Sequence, residues 1–372
     1  MASRARLDSV DIVRGAVMVI MALDHTRGAW SGATIDIMDV HVTTVALFLT
    51  RWITHFCAPV FVFLAGTGAF LSSKPKPELS RFLVTRGLWL IFLEATWVHF
   101  GFYLNFDPTY IFAQVFWALG CSMIVLAALI HLPLRAIAAF GILMVLTHNA
   151  FDGMQGNWFW SVLHVKKRMY PMEGVTFYNM YPLVPWLGVM AAGYAFGAIL
   201  RNKTLLLRIG FGMLTLFAAL RAFNIYGDDR PWSVQPSLVM SILSFVNTEK
   251  YPPSLQFLLM TIGPAIIAIA LFEKIKGGPL VTFGRVPLFF YLLHTPLIHG
   301  SAAVAAFIRY GDCAFLFRNP TSTGKYLLPP GYGYSLPVVY LVWACVIVVL
   351  YFACGWFAAL KQRRSDWWLS YL

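Results

Sequence analysis

The sequence predicts an all-α, polytopic integral membrane protein with about ten transmembrane helices. Three observations carry that prediction. Of the 372 residues, 59% are hydrophobic. Only 12% are charged, about half the share of an ordinary soluble domain. Apolar runs of membrane length then recur along the whole chain. No long polar stretch interrupts them, so residues 1–372 read as a single transmembrane domain.

The runs fall near residues 9–29, 43–72, 82–103, 109–131, 133–151, 181–200, 204–226, 253–273, 280–308 and 335–360. The first has charges at both ends and no small-residue cleavage site, so it reads as a retained helix and not as a signal peptide. Asp11 and Arg14 lie in its opening turns and read as an ion pair; Asp24, His25 and Arg27 close it. The second and ninth runs exceed what a bilayer needs. Pro59 in the second, and Pro287 and Pro296 in the ninth, are predicted to bend those helices and free carbonyls.

Orientation follows from the basic residues. With the N-terminus in the cytoplasm, Arg4 and Arg6 lie inside, as do Lys74, Lys76 and Arg81, then Arg135, then Arg201, Lys203 and Arg208, then Lys274 and Lys276. The tail adds Lys361, Arg363 and Arg364. The opposite loops are longer and mix bases with acids, as in Asp228, Asp229 and Arg230 or Asp312, Arg318 and Lys325. The positive-inside rule therefore predicts both termini in the cytoplasm. The outer loops are also aromatic: Trp158, Phe159, Trp160, Tyr170, Phe177, Tyr178, Tyr181, Tyr226 and Trp232 supply an interfacial belt or a platform for sugar rings.

Several function classes fall away. The net charge of +12 is spread between spans, where topology explains it better than a nucleic-acid surface does. The five cysteines show no paired spacing, and no His-Glu-x-x-His motif, phosphate loop or Gly-x-Ser-x-Gly elbow occurs, so no metal site is expected. Charged and imidazole groups inside spans remain, and such groups are functional candidates by default. Arg51 and His55 stand one turn apart on the second run, and Tyr291 and His294 share a face of the ninth. Arg14, Arg86 and Arg285 cluster toward the cytoplasmic side and could build a basic vestibule. Glu94 reads as structural, a counter-ion for Arg86 or Arg221; His41 and His164 read as solvated and His131 as interfacial. Imidazole near neutrality suits general-base work or transient acyl attachment. It equally suits a proton relay, so a proton-coupled transporter or exporter is the alternative function.

Particular segments narrow this choice. Residues 6–15 and 21–27, the stretch from Arg51 to Gly66, the run Lys250-Tyr251-Pro252-Pro253-Ser254, and the stretch from Gly284 to His294 together resemble the bacterial branch of the heparan-alpha-glucosaminide N-acetyltransferase family. The resemblance implies an acyl-CoA-dependent transmembrane acetyltransferase of the bacterial cytoplasmic membrane. Cytoplasmic acetyl-CoA would be the donor, with no permanently bound cofactor. The acceptor would be a sugar amine or hydroxyl on an envelope glycan, or a small metabolite. Related membrane acyltransferases carry a histidine at the end of the first helix, where His25 stands. His25 or His55 would then be the base or acetyl carrier, Asp24 would orient an imidazole, Arg51 would face the oxyanion, and His294 with Tyr291 would complete the site. Arg14, Arg86 and Arg285 would hold the phosphates, a task suited to guanidinium. A homo-oligomer is compatible with all of this.

Overall fold

The computed structural model describes residues 7–32, 35–317, 328–364 and 366–372. Arg4, Arg6, Arg318 and Lys325 of the orientation argument lie outside the described residues. The chain is built of helices, with one small sheet among the described residues. In order the helices are α1 (Asp8–Trp30), α2 (Val45–Trp52), α3 (Cys57–Leu71), α4 (Lys76–Leu93), α5 (His99–Tyr103), α6 (Val115–Leu129), α7 (Leu134–Thr147) and α8 (Trp158–His164). They continue as α9 (Leu183–Phe196), α10 (Lys203–Phe223), α11 (Leu238–Val246), α12 (Leu255–Leu271), α13 (Pro279–Arg285), α14 (Pro287–Tyr310) and α15 (Leu336–Arg363).

Each of the ten apolar runs contains helix, although the fourth, 109–131, opens on a short strand before its helix begins at Val115. Among the described residues, six helical segments are long and apolar enough to cross a membrane: Val45–Leu71, Leu134–Phe151, Lys203–Phe223, Leu255–Lys274, Pro287–Tyr310 and Leu336–Arg363. Burial separates them into two shells. In the apolar window of Leu255–Lys274 72% of residues are buried, against 17% for Leu336–Arg363, so the first is a core helix and the second faces lipid. α1 is too charged to qualify by composition, yet it forms the axis of the molecule, touching α3, α12, α13, α14 and α15. Protein enclosure is what lets it hold Asp11, Arg14, Asp24 and Arg27 in a span.

The long runs break where prolines remove donors. The second run is α2, a 3-10 turn over Ile53–Phe56, and α3, with Pro59 in the first turn of α3. Proline there has no N–H to return to the carbonyl four residues back, so the break precedes it. Pro287 ends α13 and starts α14, while Pro296 stays inside α14. A π-turn over Glu94–Val98 separates α4 from α5 within the third run. Polar side chains mark other helix starts: Thr44, Asn202 and Ser254 each accept from the N–H three residues on.

The sheet was not foreseen from the sequence, because its strands are short: two lie between predicted spans and the third at the start of the fourth apolar run. It joins β1 (Tyr110–Ala113), β2 (Lys167–Met172) and β3 (Val175–Asn179) in the order β1-β3-β2. β1 runs parallel to β3, in register from Tyr110 with Thr176 to Ala113 with Asn179; β2 pairs antiparallel to β3. Gly174, at φ 75°, occupies the tight turn between β2 and β3, where a Cβ would be strained. The Asn179 amide donates to the carbonyls of Ser161, Val162 and Val165, closing the end of α8 against the sheet. β1 leads through Gln114 into α6, so the sheet is anchored directly to a core helix.

Candidate functional site

Two cavities flank α1 from opposite ends of the molecule. The first, of about 510 Å³, is lined by the cations Arg14, Lys74 and Arg86 and by apolar side chains such as Met18, Leu83 and Leu119. The second, of about 570 Å³, is polar and takes Asp24, His25, Arg51, Lys250, Tyr251 and His299 into its wall. Phe61, Val115 and Tyr291 line both. α1 therefore contributes Arg14 to one chamber and His25 to the other, about 16 Å further along its axis.

Helix packing brings the key imidazole partner from far away in sequence. His25 Nδ1 lies 2.6 Å from His294 Nε2, and the two rings stack with centroids 4.8 Å apart. His294 Nδ1 lies 2.6 Å from the Tyr291 carbonyl oxygen, to which only a protonated nitrogen can donate. With both rings neutral, His294 Nε2 must accept and His25 Nδ1 must donate. His25 Nε2 is then left with its lone pair, on a side chain that lines the second cavity. Phe102 and Tyr291 meet the His25 ring edge-on and restrict its rotation. The arrangement has the form of a base held in one tautomer by a second group.

Asp24 does not orient that imidazole. Its two carboxylate oxygens bind Arg27, at 2.9 Å, and Arg51. Arg51 also reaches Thr54 Oγ1, at 3.3 Å, and stays in the cavity wall. His55 is placed elsewhere: it is buried, its ring lies against Phe257 of α12, its Nδ1 has no hydrogen-bond partner, and it lines neither cavity. The turn of 3-10 helix between Arg51 and His55 changes the angular step, so the two do not share the face that an unbroken α-helix would give them.

At the other chamber Asp11 and Arg14 pair at 3.0 Å, and Arg14 also donates to the Gly284 carbonyl, at 3.1 Å. Arg86 lies over the Phe82 ring. Arg285 stands apart from the cavity wall, 3.7 Å from Asp8, and Lys74 fills the cationic place instead. Lys74, which the charge pattern marks only for topology, is thus a wall residue of this cavity. Glu94 is structural, but as a cap and not as a counter-ion: its Oε2 accepts from the N–H groups of Phe116, at 2.6 Å, and Trp117, at 3.0 Å, at the start of α6.

Lys250 and Tyr251, quoted above only for their resemblance, turn out to be wall residues of the second cavity. Burial alone would raise the Tyr251 phenol, but nearby Lys250 and Arg51 and a hydrogen bond from Tyr181 outweigh it and hold the group below its ordinary value. The loop that carries them is stapled by Arg221. That buried guanidinium donates to the carbonyls of Phe245, Arg230, Ser244 and Asn247 and sits 3.7 Å from Asp228. Of the outer aromatic residues, Tyr181 lines the cavity, whereas Trp158, Phe159 and Tyr170 are exposed and stand outside it.

The family model described as "Heparan-alpha-glucosaminide N-acetyltransferase, catalytic" matches residues 6–230, more than half of the chain. No individual curated protein matches. The matched segment holds Arg14, Asp24, His25, Arg51, Lys74 and Arg86, while Lys250, Tyr251 and Tyr291, which complete the cavity walls, and His294, which holds His25, follow it.

Proposed function

Since the chain belongs to the heparan-alpha-glucosaminide N-acetyltransferase catalytic family, and is therefore a membrane acetyltransferase, we propose that it carries acetyl from cytoplasmic acetyl-CoA to an acceptor on the opposite face. The acceptor is a sugar amine or hydroxyl, on an envelope glycan or a small metabolite. Family membership favours this chemistry over the exporter reading. One observation carries the proposal: a cation-lined cavity and a histidine-lined cavity share Phe61, Val115 and Tyr291.

In this reading the first cavity opens to the cytoplasm. Arg14, Arg86 and Lys74 meet the phosphates of the donor, and the apolar wall beyond them holds its thioester arm. Arg285, outside that wall, belongs to the rim with Asp8. The acetyl carbonyl reaches the shared wall beside Tyr291. The acceptor enters the second cavity, and its N–H or O–H proton passes to His25 Nε2 as its heteroatom attacks the carbonyl carbon. The C–S bond then breaks and coenzyme A leaves as the thiol, taking back the proton. If acetyl instead rests on His25 Nε2, the same geometry serves both half-reactions. His294 is a positioning residue that keeps His25 in the right tautomer. Arg51, fixed by Asp24, presents positive charge to the carbonyl oxygen as it becomes an oxyanion.

Inside-out vesicles given labelled acetyl-CoA outside and a glucosamine oligosaccharide inside test this directly. Acetylated oligosaccharide is expected in the lumen. His25→Ala should lower the rate by about 10²–10⁴-fold, and His55→Ala should leave it within about tenfold, since His55 lines neither cavity. A wild-type rate in His25→Ala would exclude the mechanism. Label retained on the wild-type protein, and lost in His25→Ala, would select the acetyl-histidine route.

A further inference from the structure

A second cluster of imidazoles lies away from both cavities. His148 opens the 3-10 turn that ends α7, Asp152 follows that turn, and His164 closes α8. One ligand atom from each of the three comes within 4.8 Å of the others. His164 Nε2 and Asp152 Oδ1 are 2.9 Å apart, and the two imidazole rings meet edge to face at 5.7 Å. The sequence spacing hides this set, because its members come from two helices and a turn.

Hydrogen bonding alone does not account for the cluster. His148 is 1% exposed, yet neither of its ring nitrogens has a partner; His164 is 2% exposed, and its Nδ1 has none. Buried imidazoles ordinarily have their nitrogens satisfied. Asp152, meanwhile, has its other oxygen held by the Asn149 amide, at 2.7 Å, and Asn149 Oδ1 accepts from the Leu255 N–H, at 2.8 Å. That is the outer support that metal-binding carboxylates characteristically receive.

We propose that His148, Asp152 and His164 form a binding site for a divalent transition-metal ion of the zinc class. Two imidazole nitrogens and one carboxylate oxygen are a normal ligand set for such an ion, with a water in the fourth place. Zinc bonds of about 2.0–2.2 Å place tetrahedral ligand atoms about 3.3–3.6 Å apart, so side-chain shifts of about 1 Å close the site. The partly exposed Asp152 carboxylate, at 28%, gives the ion its route from solvent. None of the three lines the acceptor cavity, so the ion braces structure and takes no part in acetyl transfer. It would tie the end of α7 to α8, which leads directly into β2. β3 pairs with β1, and Phe112 and Gln114, in and just after β1, line the acceptor cavity.

The full chain, purified in detergent and stripped with a chelator, is titrated with Co²⁺. One cobalt per chain is expected, with the intense visible absorption of a four-coordinate site, displaced by equimolar Zn²⁺. X-ray absorption of the zinc-loaded wild type should show two imidazoles and only nitrogen or oxygen donors. That measurement needs no variant to fold. His148→Ala and His164→Ala should each weaken binding beyond the about 10–100-fold typical of an outer-shell partner. His41→Ala, in an exposed loop, should bind normally. A pale six-coordinate cobalt spectrum in the wild type, or the strong band persisting in the His148→Ala/His164→Ala double variant, would overturn the proposal.

Discussion

His25, the proposed base, shows how little of a side chain's behaviour belongs to the residue itself. Its Nδ1 is committed to His294, whose own Nδ1 is committed to the Tyr291 carbonyl, and that chain of bonds selects which nitrogen keeps its lone pair on a side chain lining the second cavity. Asp24 plays a different part, compensating Arg27 and Arg51 in a wall where all three side chains are mostly shielded from solvent. Asp24→Asn removes one partner from that network and leaves two uncompensated cations. A loss on the order of 3–5 kcal/mol is expected at full burial, and somewhat less here because these groups keep partial access to the cavity. Thermal unfolding in detergent measures it. A melting temperature equal to wild type would show that the arginines find other counter-charge.

At the scale of elements, the position of the site depends on close helix crossings. A Cβ on Gly15 would lie 1.9 Å from the Leu280 carbonyl oxygen, and one on Gly284 would lie 2.0 Å from that of Asp11. Such backbone approaches are how helices associate in lipid, where no hydrophobic effect drives them together. The crossing of α1 and α13 is also what allows Arg14 to reach the Gly284 carbonyl. Gly15→Ala must push the two helices apart, with an expected cost of about 1–3 kcal/mol. Gly212→Ala, in α10 with nothing within 4 Å of the new Cβ, is the matched control. It should be neutral or stabilise by up to about 1 kcal/mol, because alanine is the better helix former. Equal melting temperatures for the two variants would refute a packing role for Gly15.

For the whole molecule, the arrangement that matters is two chambers served by one axial helix and joined at a wall of three side chains. In the proposed reaction neither chamber alone accounts for transfer from one face of the membrane to the other. Val115→Trp adds bulk to the shared wall and leaves the side chains of Arg14, Lys74, Arg86 and His25 unchanged in the sequence. Acetyl-CoA affinity, followed by calorimetry, should change little, while turnover should fall by about 10²-fold or more through misplacement of the reacting carbonyl. Parallel loss of binding and turnover would place the donor across the wall and contradict the two-chamber account.

The sequence by itself determined the membrane class, the location of every long helix and the family, because apolar length and local motifs are properties of contiguous residues. Arg14, Asp24, His25, Arg51, Arg86 and His294 were legible for the same reason: an ionisable group in an apolar run is conspicuous wherever it ends up. Only the tertiary structure decided which of them meet. His25 and His294 are 269 residues apart and touch because α1 and α14 pack together. His55 looked equivalent to His25 until a 3-10 turn and Pro59 directed it into the core beside Phe257. Lys74, Lys250 and Tyr251 looked like loop residues until folding turned them into cavity walls. The physical reason is the same in each case. A span's composition follows from the solvent around it, whereas the direction a side chain faces follows from crossings and breaks set by distant partners.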